Sequence, residues 1–308
     1  MRFPGIFSSA EVNAFFRAHG KGLALFSVMV LGALFPQAHT LSALIQYLLI
    51  GLLFFAFLDV PCPPRSFHIS IVWVLLANIA VAFISYGLCS SNDITLALTA
   101  FFTAIAPSAV ASPVVISFLE GKVEYALTAV LVTNLSSAVI VPLVLPSLAG
   151  SVVSISVWEV LRPTMIVVFV PFLMARLVER FPPEVTSAVR SGRRFSFPLW
   201  LASLYLISAK ASHFIRNQYA GAPSILVTIA LVSLGICALN FALGAWLGGR
   251  HFRLEASQAL GQKNLAFVIW IALTFLNPLV AMGPTFYILY HNLYNSWLIY
   301  RFEKERSA

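Results

Sequence analysis

The sequence predicts an all-α membrane protein of about ten transmembrane helices, and composition, apolar segment length and charge placement support this. Hydrophobic residues make up 60% of the 308 residues and charged residues 10%, whereas soluble domains are roughly 45–50% apolar and about 25% charged. The apolar residues fall into stretches near the length of about 20 residues that a helix needs to cross a bilayer. A water-soluble fold could not bury so much apolar surface.

The candidate spans follow one another with short connections that are rich in proline, glycine, serine and asparagine. A segment over residues 8–20 is expected to form a surface helix before the first span. The predicted spans are 22–37, 41–59, 67–89, 94–120, 123–148, 160–179, 195–213, 223–248, 254–276 and 281–301.

The basic residues predict the orientation. With the N-terminus in the cytoplasm, fifteen of the 19 Lys and Arg residues lie on the inside, and only Arg162, Lys210 and Arg216 lie outside. The positive-inside rule then places both termini in the cytoplasm, predicts an even number of spans and favours the cytoplasmic (inner) membrane. Because these charges are scattered over short connections and form no stripe, no nucleic-acid partner is expected, although the net charge is +8.

The fourth and ninth spans are both interrupted. Pro107 and Pro113 break the fourth, since each proline removes a backbone donor and clashes with the preceding turn. In the ninth, three polar side chains follow Gly261 near mid-membrane depth, Gln262, Lys263 and Asn264. Matching broken helices in two halves are typical of secondary transporters with inverted repeats. We therefore predict a first repeat over residues 1–150 and a second over 151–308.

Lys263 is the only charged residue in the interior of a predicted apolar span. An ionisable group there costs about 2.5–3.5 kcal/mol on insertion scales, so it requires compensation. Carbonyl groups at the C-terminal end of a half-helix would supply it. Lys263 is thus a candidate built-in cation or a proton-coupling group; a lysine that snorkels to the interface or fills a polar space is the structural alternative.

The crossing region predicts an anionic substrate. The second halves of the broken helices begin near Ser112 and Asn264, and the amide groups at helix N-termini favour a carboxylate. Thr133 and Asn134 of the fifth span either line this cavity or form interhelical hydrogen bonds, and His291 is either a core histidine or a proton-linked group. The predicted substrate-binding residues are Ser108, Val110, Ala111, Ser112, Asn264, His291 and Asn292.

Two stretches, Ile105–Leu148 and Ala259–Ser296, resemble the bile acid:sodium symporter family. Residues 261–264 are similar to that family's glycine-methionine-glutamine-asparagine, and Tyr290-His291-Asn292 is similar to its tryptophan-histidine-asparagine. The resemblance implies ten helices in two inverted five-helix repeats, with crossed and broken fourth and ninth helices. It also implies a core of spans three to five and eight to ten that moves against a panel of spans one, two, six and seven.

The sequence departs from this family at the places of its sodium ligands. At the first sodium site, the family's serine-asparagine pair, serine, threonine and glutamate are replaced by Ser112-Pro113, Ala126, Val130 and Ala259. At the second site, Ala259, Lys263 and Asn78 stand where the family has a glutamate and two glutamines. Bound sodium is therefore not expected, nor is a metal or other cofactor. The resemblance makes Asn78 the candidate partner of Lys263, in a region that Thr133, Asn134, Gln262 and Ala259 also line.

These observations together predict a secondary transporter that moves a small organic anion, bile-acid-like or a small carboxylate, without sodium. An enzyme is not expected, since no acidic residue at matching depth would pair with His291 and no His-x-x-x-His or Cys-x-x-Cys occurs. A symporter with a sodium site rearranged around Ser108, Ser112, Thr128 and Thr133, or a non-transporting sensor, are the alternatives. The expected partners are the anion and the lipid bilayer, with the oligomeric state left open between a monomer and a higher assembly.

Overall fold

The computed structural model describes residues 24, 26–60, 67–91, 93–150, 153–217 and 224–307. The predicted surface helix over 8–20 and the basic residues Arg2, Arg17, Lys21 and Arg65 lie outside these ranges. Within them the regular structure is helical, apart from one isolated antiparallel bridge between Ser108 and Lys263.

The helices are numbered in chain order, beginning with α1 over the described helical residues 26–34. Two short 3-10 helices, Pro36–Leu41 and Gly192–Phe195, lie in connections. The remaining helices are α2 Leu44–Asp59, α3 Ile69–Ser90, α4 Ile94–Ile105, α5 Ser112–Phe118, α6 Val123–Ala149, α7 Val157–Val178, α8 Pro183–Ser191, α9 Ser196–Asn217, α10 Ser224–Leu247, α11 Arg253–Gly261, α12 Leu265–Phe275 and α13 Pro278–Ser307.

Four of the described helices, α3, α6, α7 and α10, are each long and apolar enough to cross a bilayer alone. Three shorter apolar helices accompany them, within α2, in α4 and in α12. Two of these, α4 and α12, are halves of the predicted broken spans: α4 is followed by α5, and α11 precedes α12. The structure is thus an all-helical fold with several candidate spans, and the count of ten in two inverted repeats stays a prediction.

Local sequence signals set several helix ends. The Asp93 carboxylate accepts from the backbone N–H of Leu96 over 2.9 Å and caps α4, and Ser156 and Glu159 form a capping box at the start of α7. At its other end α4 stops at Ile105, because Ala106 precedes Pro107 and adopts an extended conformation. The predicted break in the fourth span is therefore confirmed at its first proline.

Packing brings the two broken helices together. Helix α4 packs against α3 and α13, α5 against α6, and α11 against α10, α3 and α6, while α2 packs against α7 and α9. Large apolar side chains such as Phe101, Phe102, Phe267 and Tyr287 are fully buried where these helices meet. The buried apolar side chains form one large cluster and two smaller ones, and the two breaks lie against the large cluster and one of the smaller ones. The division into a moving core and a panel stays a prediction.

Candidate functional site

The two helix breaks meet as a pair of extended backbone segments. The backbone N–H of Ala109 donates to the carbonyl oxygen of Gln262 over 2.8 Å, and the N–H of Asn264 donates to that of Pro107 over 2.7 Å. Broken backbone in a membrane interior requires such partners, because no water is present to replace them. The fourth and ninth segments of the sequence thus cross at Ser108 and Lys263, which form the isolated bridge.

Lys263 extends from this crossing to the last turn of α4. Its side chain is buried at 3% exposure, and its ammonium nitrogen Nζ donates to the carbonyl oxygens of Ala104 over 2.8 Å and Ala106 over 3.1 Å. The side-chain oxygen Oδ1 of Asn78 is its third acceptor. A lysine ammonium has three donors, so the ammonium is fully hydrogen-bonded.

The partners of Lys263 also complete the C-terminal end of α4. The last carbonyl groups of a helix have no N–H donor within the helix, and they carry the negative end of the helix dipole. Here Ala104 and Ala106 accept from Lys263, and the carbonyl oxygen of Ile105 accepts from the amide nitrogen Nδ2 of Asn78 over 2.9 Å. Asn78 therefore links α3, α4 and Lys263 through both ends of its side-chain amide.

The positive charge at this place has no counter-ion among the described residues. Arg176, Arg190, Arg301 and Arg306 do form ion pairs, with glutamates near the helix ends. Lys263 is compensated instead by oxygen dipoles, the same class of ligand that half-helix ends offer to a sodium ion in transporters. The ammonium is thus held by three oxygen acceptors of two kinds, backbone carbonyl and side-chain amide.

Helix α6 braces the crossing from one side. The hydroxyl oxygen of Thr133 accepts from the backbone N–H of Ser108 over 3.0 Å, and the amide nitrogen of Asn134 donates to the Ser108 carbonyl oxygen over 3.0 Å. The amide nitrogen of Asn264 in turn donates to the Asn134 side-chain oxygen over 3.1 Å. The Ser108 hydroxyl donates to the carbonyl oxygen of Ala259. The predicted residues 108, 133, 134 and 264 are therefore one hydrogen-bonded group.

Helix α13 braces the other side through three side chains one helical turn apart, the polar row of Tyr287, His291 and Asn295. The Tyr287 hydroxyl donates to the Gly261 carbonyl oxygen over 2.7 Å, and Nδ1 of His291 lies 3.5 Å from the backbone N–H of Lys263. Asn295 accepts from the Gln258 amide over 2.9 Å. Each member of the row thus contacts a different residue of the α11 end and the break.

Gly261 allows helix α11 to end against α10. A Cβ atom at this position would lie 2.3 Å from Cδ1 of the Phe241 ring. Since such a distance is far inside van der Waals contact, only glycine fits here without displacement of Phe241. The glycine that opens the polar stretch of the ninth span is therefore required by packing at the crossing.

The other predicted residues lie around the hydrogen-bonded group. Ala111 is exposed, and Val110 and Asn264 are half-buried, so these three positions border accessible space. Ser112 is fully buried, and its hydroxyl has no hydrogen-bond partner among the described residues. Asn292 donates to the carbonyl oxygen of Ile288 in its own helix. The buried side-chain oxygen of Gln262 also has no partner within the described ranges.

Sequence reasoning missed two contributions to the site. Tyr287 was not predicted, although it lies four residues before His291 and therefore on the same helix face. Glu255, buried at 5% exposure at the start of α11, accepts from the backbone N–H of Lys122 over 2.8 Å. It anchors the turn between α5 and α6 to the first half of the ninth segment.

A comparison with known families identifies the family of this chain. The model of the SBF-like CPA transporter family matches residues 64–294, about three quarters of the chain and all of the crossing. The chain belongs to the SBF-like CPA transporter family. No curated protein matches the chain at a significant level. The resemblance to bile acid:sodium symporters is thereby confirmed at the level of the family, and this family member is a multi-pass membrane transporter.

Proposed function

We propose that this SBF-like transporter carries a small organic anion across the cytoplasmic membrane by alternating access and without sodium, with Lys263 in place of a bound cation. The supporting observation is the position of the Lys263 ammonium, which donates to Ala104, Ala106 and Asn78 at the end of a half-helix. A protein side chain that fills a cation place leaves no space there for Na⁺, and a second positive charge beside it would be costly.

The accessible positions beside the crossing favour an anion. Val110 and Ala111 immediately precede the second half of the fourth segment, and Asn264 is the cap residue of α12. No side-chain hydrogen bond caps the start of either helix, and the positive end of the α12 dipole attracts carboxylates. In this proposal the anion meets Val110, Ala111 and Asn264, while the buried Lys263 contributes its charge from behind the crossing.

The role of Lys263 has two forms. A permanently charged ammonium would make the carrier an exchanger or a facilitator, whereas a lysine that releases its proton during the cycle would couple the anion to protons. Both forms require the ammonium at the end of α4 in the anion-binding state. Both also predict that sodium does not change anion binding.

A sodium-coupled symporter is the second candidate, and Ser112 is the residue that favours it. Its buried hydroxyl oxygen has no partner within the described ranges, as expected for an atom that awaits a ligand. The hydroxyl groups of Ser108 and Thr133 instead donate to the carbonyl oxygens of Ala259 and Ala129. A rearranged sodium site would have to use Ser112 together with oxygen atoms that already take part in hydrogen bonds.

Thermal unfolding of the purified protein with organic anions distinguishes the two candidates. The anions are taurocholate, pantoate and pyruvate, each in sodium and in potassium buffer, for the wild type, Lys263→Met and the charge-conserving Lys263→Arg. A ligand that binds the native state raises the melting temperature by mass action. We expect one or more anions to stabilise the wild type equally in both buffers and Lys263→Met to lose the effect. Stabilisation that requires sodium would support the symporter instead.

A further inference from the structure

A second lysine lies beside a cavity at the other end of α12. The cavity has a volume of about 390 Å³ and lies between the start of α2, helix α9 and the end of α12. Its lining includes Lys210 and the polar residues Ser42, Gln46, Tyr47 and Thr274, with Trp270 as an apolar wall. The described lining residues include no carboxylate, so the cavity carries a net positive charge.

Lys210 has hydrogen-bonding capacity left for a ligand. Its ammonium nitrogen donates to the carbonyl oxygen of Leu273 over 2.9 Å, near the C-terminal end of α12. An ammonium has three donors, so two remain for groups in the cavity. The contact with Leu273 also fixes the direction of a long side chain, which lowers the entropy cost of binding.

The size and chemistry of the cavity define its occupant. Pockets for small molecules have volumes of about 300–1,000 Å³ and combine apolar walls with a few polar groups. Here the apolar wall is the Trp270 ring, and the polar groups are one cation and several hydroxyl and amide groups. These features fit a carboxylate that is attached to a small apolar or aromatic body.

The cavity and the crossing lie at opposite ends of the same half-helix. Lys263 precedes α12, and Leu273, the partner of Lys210, lies in its last turn. With a rise of about 1.5 Å per residue, α12 separates the two places by roughly 15 Å. An anion held at Lys210 is therefore one half-helix away from the proposed transport site.

We infer that this cavity is a binding site for small carboxylates, in which Lys210 recognises the anion before or after it occupies the crossing. The inference rests on the proposed function for its place in the transport path, but binding at Lys210 is measurable without flux. Lys210 would then determine specificity by direct contact with the ligand, whereas Lys263 is buried.

The test measures binding of 4-bromobenzoate to the detergent-solubilised full chain by titration calorimetry at constant ionic strength. The proteins are the wild type, Lys210→Gln, the charge-conserving Lys210→Arg, and Arg216→Gln as the matched control. Arg216 is on the same helix and donates to the carbonyl oxygen of Ala33 outside the cavity. We expect Lys210→Gln to weaken binding at least about tenfold, since it removes a charge-assisted hydrogen bond, and Arg216→Gln to leave it unchanged.

Acylation of Lys210 by sulfo-N-hydroxysuccinimide acetate, followed by mass spectrometry, supplies an independent measurement. Saturating 4-bromobenzoate is expected to protect Lys210 and to leave Lys122 reactive. Equal affinity of wild type and Lys210→Gln, no binding to the wild type, or protection by glycerol phosphate but not by 4-bromobenzoate would each overturn the inference. If 4-bromobenzoate binds at Lys210 but none of the tested organic anions is transported into liposomes, the proposed transport function is refuted and the inferred binding site is not.

Discussion

The ammonium nitrogen of Lys263 lies 2.8 Å from the carbonyl oxygen of Ala104, and this contact joins the break of one interrupted helix to the end of the other. Lys263 follows the end of α11, and Ala104 is in the last turn of α4. The pair therefore couples the two halves of the chain where both leave regular helical geometry.

Asn78 and Lys263 are expected to be energetically coupled. Asn78→Leu removes one acceptor of a buried ammonium, and we expect it to lower the free energy of unfolding by about 1.5–3 kcal/mol. Lys263→Met removes the charge itself, so Asn78→Leu in that background should cost at least about 1 kcal/mol less. Denaturant unfolding in detergent of the two single variants and the double variant measures this coupling energy.

Asn292 provides the matched control for that cycle. Its amide donates to the carbonyl oxygen of Ile288 in its own helix, so Asn292→Leu and Lys263→Met should be additive within about 0.5 kcal/mol. Additivity of the Asn78 and Lys263 variants would show that the ammonium does not depend on Asn78.

Gly261 and Gly235 are expected to respond in opposite ways to alanine. A Cβ atom at Gly261 would lie 2.3 Å from the Phe241 ring, whereas one at Gly235 of α10 meets nothing within 4 Å. We expect Gly261→Ala to destabilise the protein by about 1–3 kcal/mol through overpacking. Gly235→Ala should be neutral or stabilising by up to about 1 kcal/mol, because alanine is the better helix former. Melting temperatures of the two variants decide this, and an equal effect would argue against close contact of α11 with α10.

Tyr287 is expected to hold the end of α11 through its hydroxyl group. Tyr287→Phe leaves the Gly261 carbonyl oxygen and the Asn240 amide without this partner, at a cost of about 1–3 kcal/mol in unfolding free energy. Tyr300→Phe on the same helix is the control, since Tyr300 is 60% exposed, and it should change stability by less than about 0.5 kcal/mol. If both variants unfold alike, the polar row does not support the crossing.

Replacement of Ser112 by alanine tests both protein stability and the response of the melting temperature to the anion. Its hydroxyl is buried without a partner among the described residues, so Ser112→Ala should leave stability unchanged or raise it by up to about 1 kcal/mol. Ser233→Ala, which removes a buried hydroxyl bonded to the Ile229 carbonyl oxygen, should instead be neutral to destabilising. The anion-dependent rise in melting temperature should be retained in Ser112→Ala in both sodium and potassium buffer, because the proposed anion contacts are Val110, Ala111 and Asn264. A loss of that rise in sodium buffer alone would support the sodium-coupled symporter. A marked loss of ligand-free stability in this variant would mean that Ser112 has a structural partner.

The sequence predicts the breaks well because their causes are local. Pro107 stops α4 through steric exclusion at the preceding residue, and a lysine in an apolar stretch has to find acceptors inside the fold. A half-helix end was expected to provide these acceptors, and the structure places the ammonium at Ala104 and Ala106. Asn78 was predicted as its partner from the family resemblance, since nothing in its local sequence indicates what it faces.

The remainder of the site depends on contacts between distant segments. The bridge between Ser108 and Lys263 joins residues of two different halves, and no periodic pattern specifies that register. The contact of Tyr287 with Gly261 is equally hidden, because a buried tyrosine hydroxyl needs a partner but the local sequence does not show which carbonyl it reaches. The Lys210 cavity forms only when α2 with the turn before it, α9 and α12 are placed together.

Uptake of a radiolabelled anion into proteoliposomes tests the central claim most directly. The substrate is the anion that most stabilises the wild type, measured with sodium or potassium as the external cation, for wild type, Lys263→Arg and Lys263→Met. We expect equal uptake by the wild type in both salts and a loss of at least about tenfold in Lys263→Met, with partial retention in Lys263→Arg. Uptake that requires a sodium gradient, or that Lys263→Met retains in full, would contradict the claim that Lys263 replaces the bound cation.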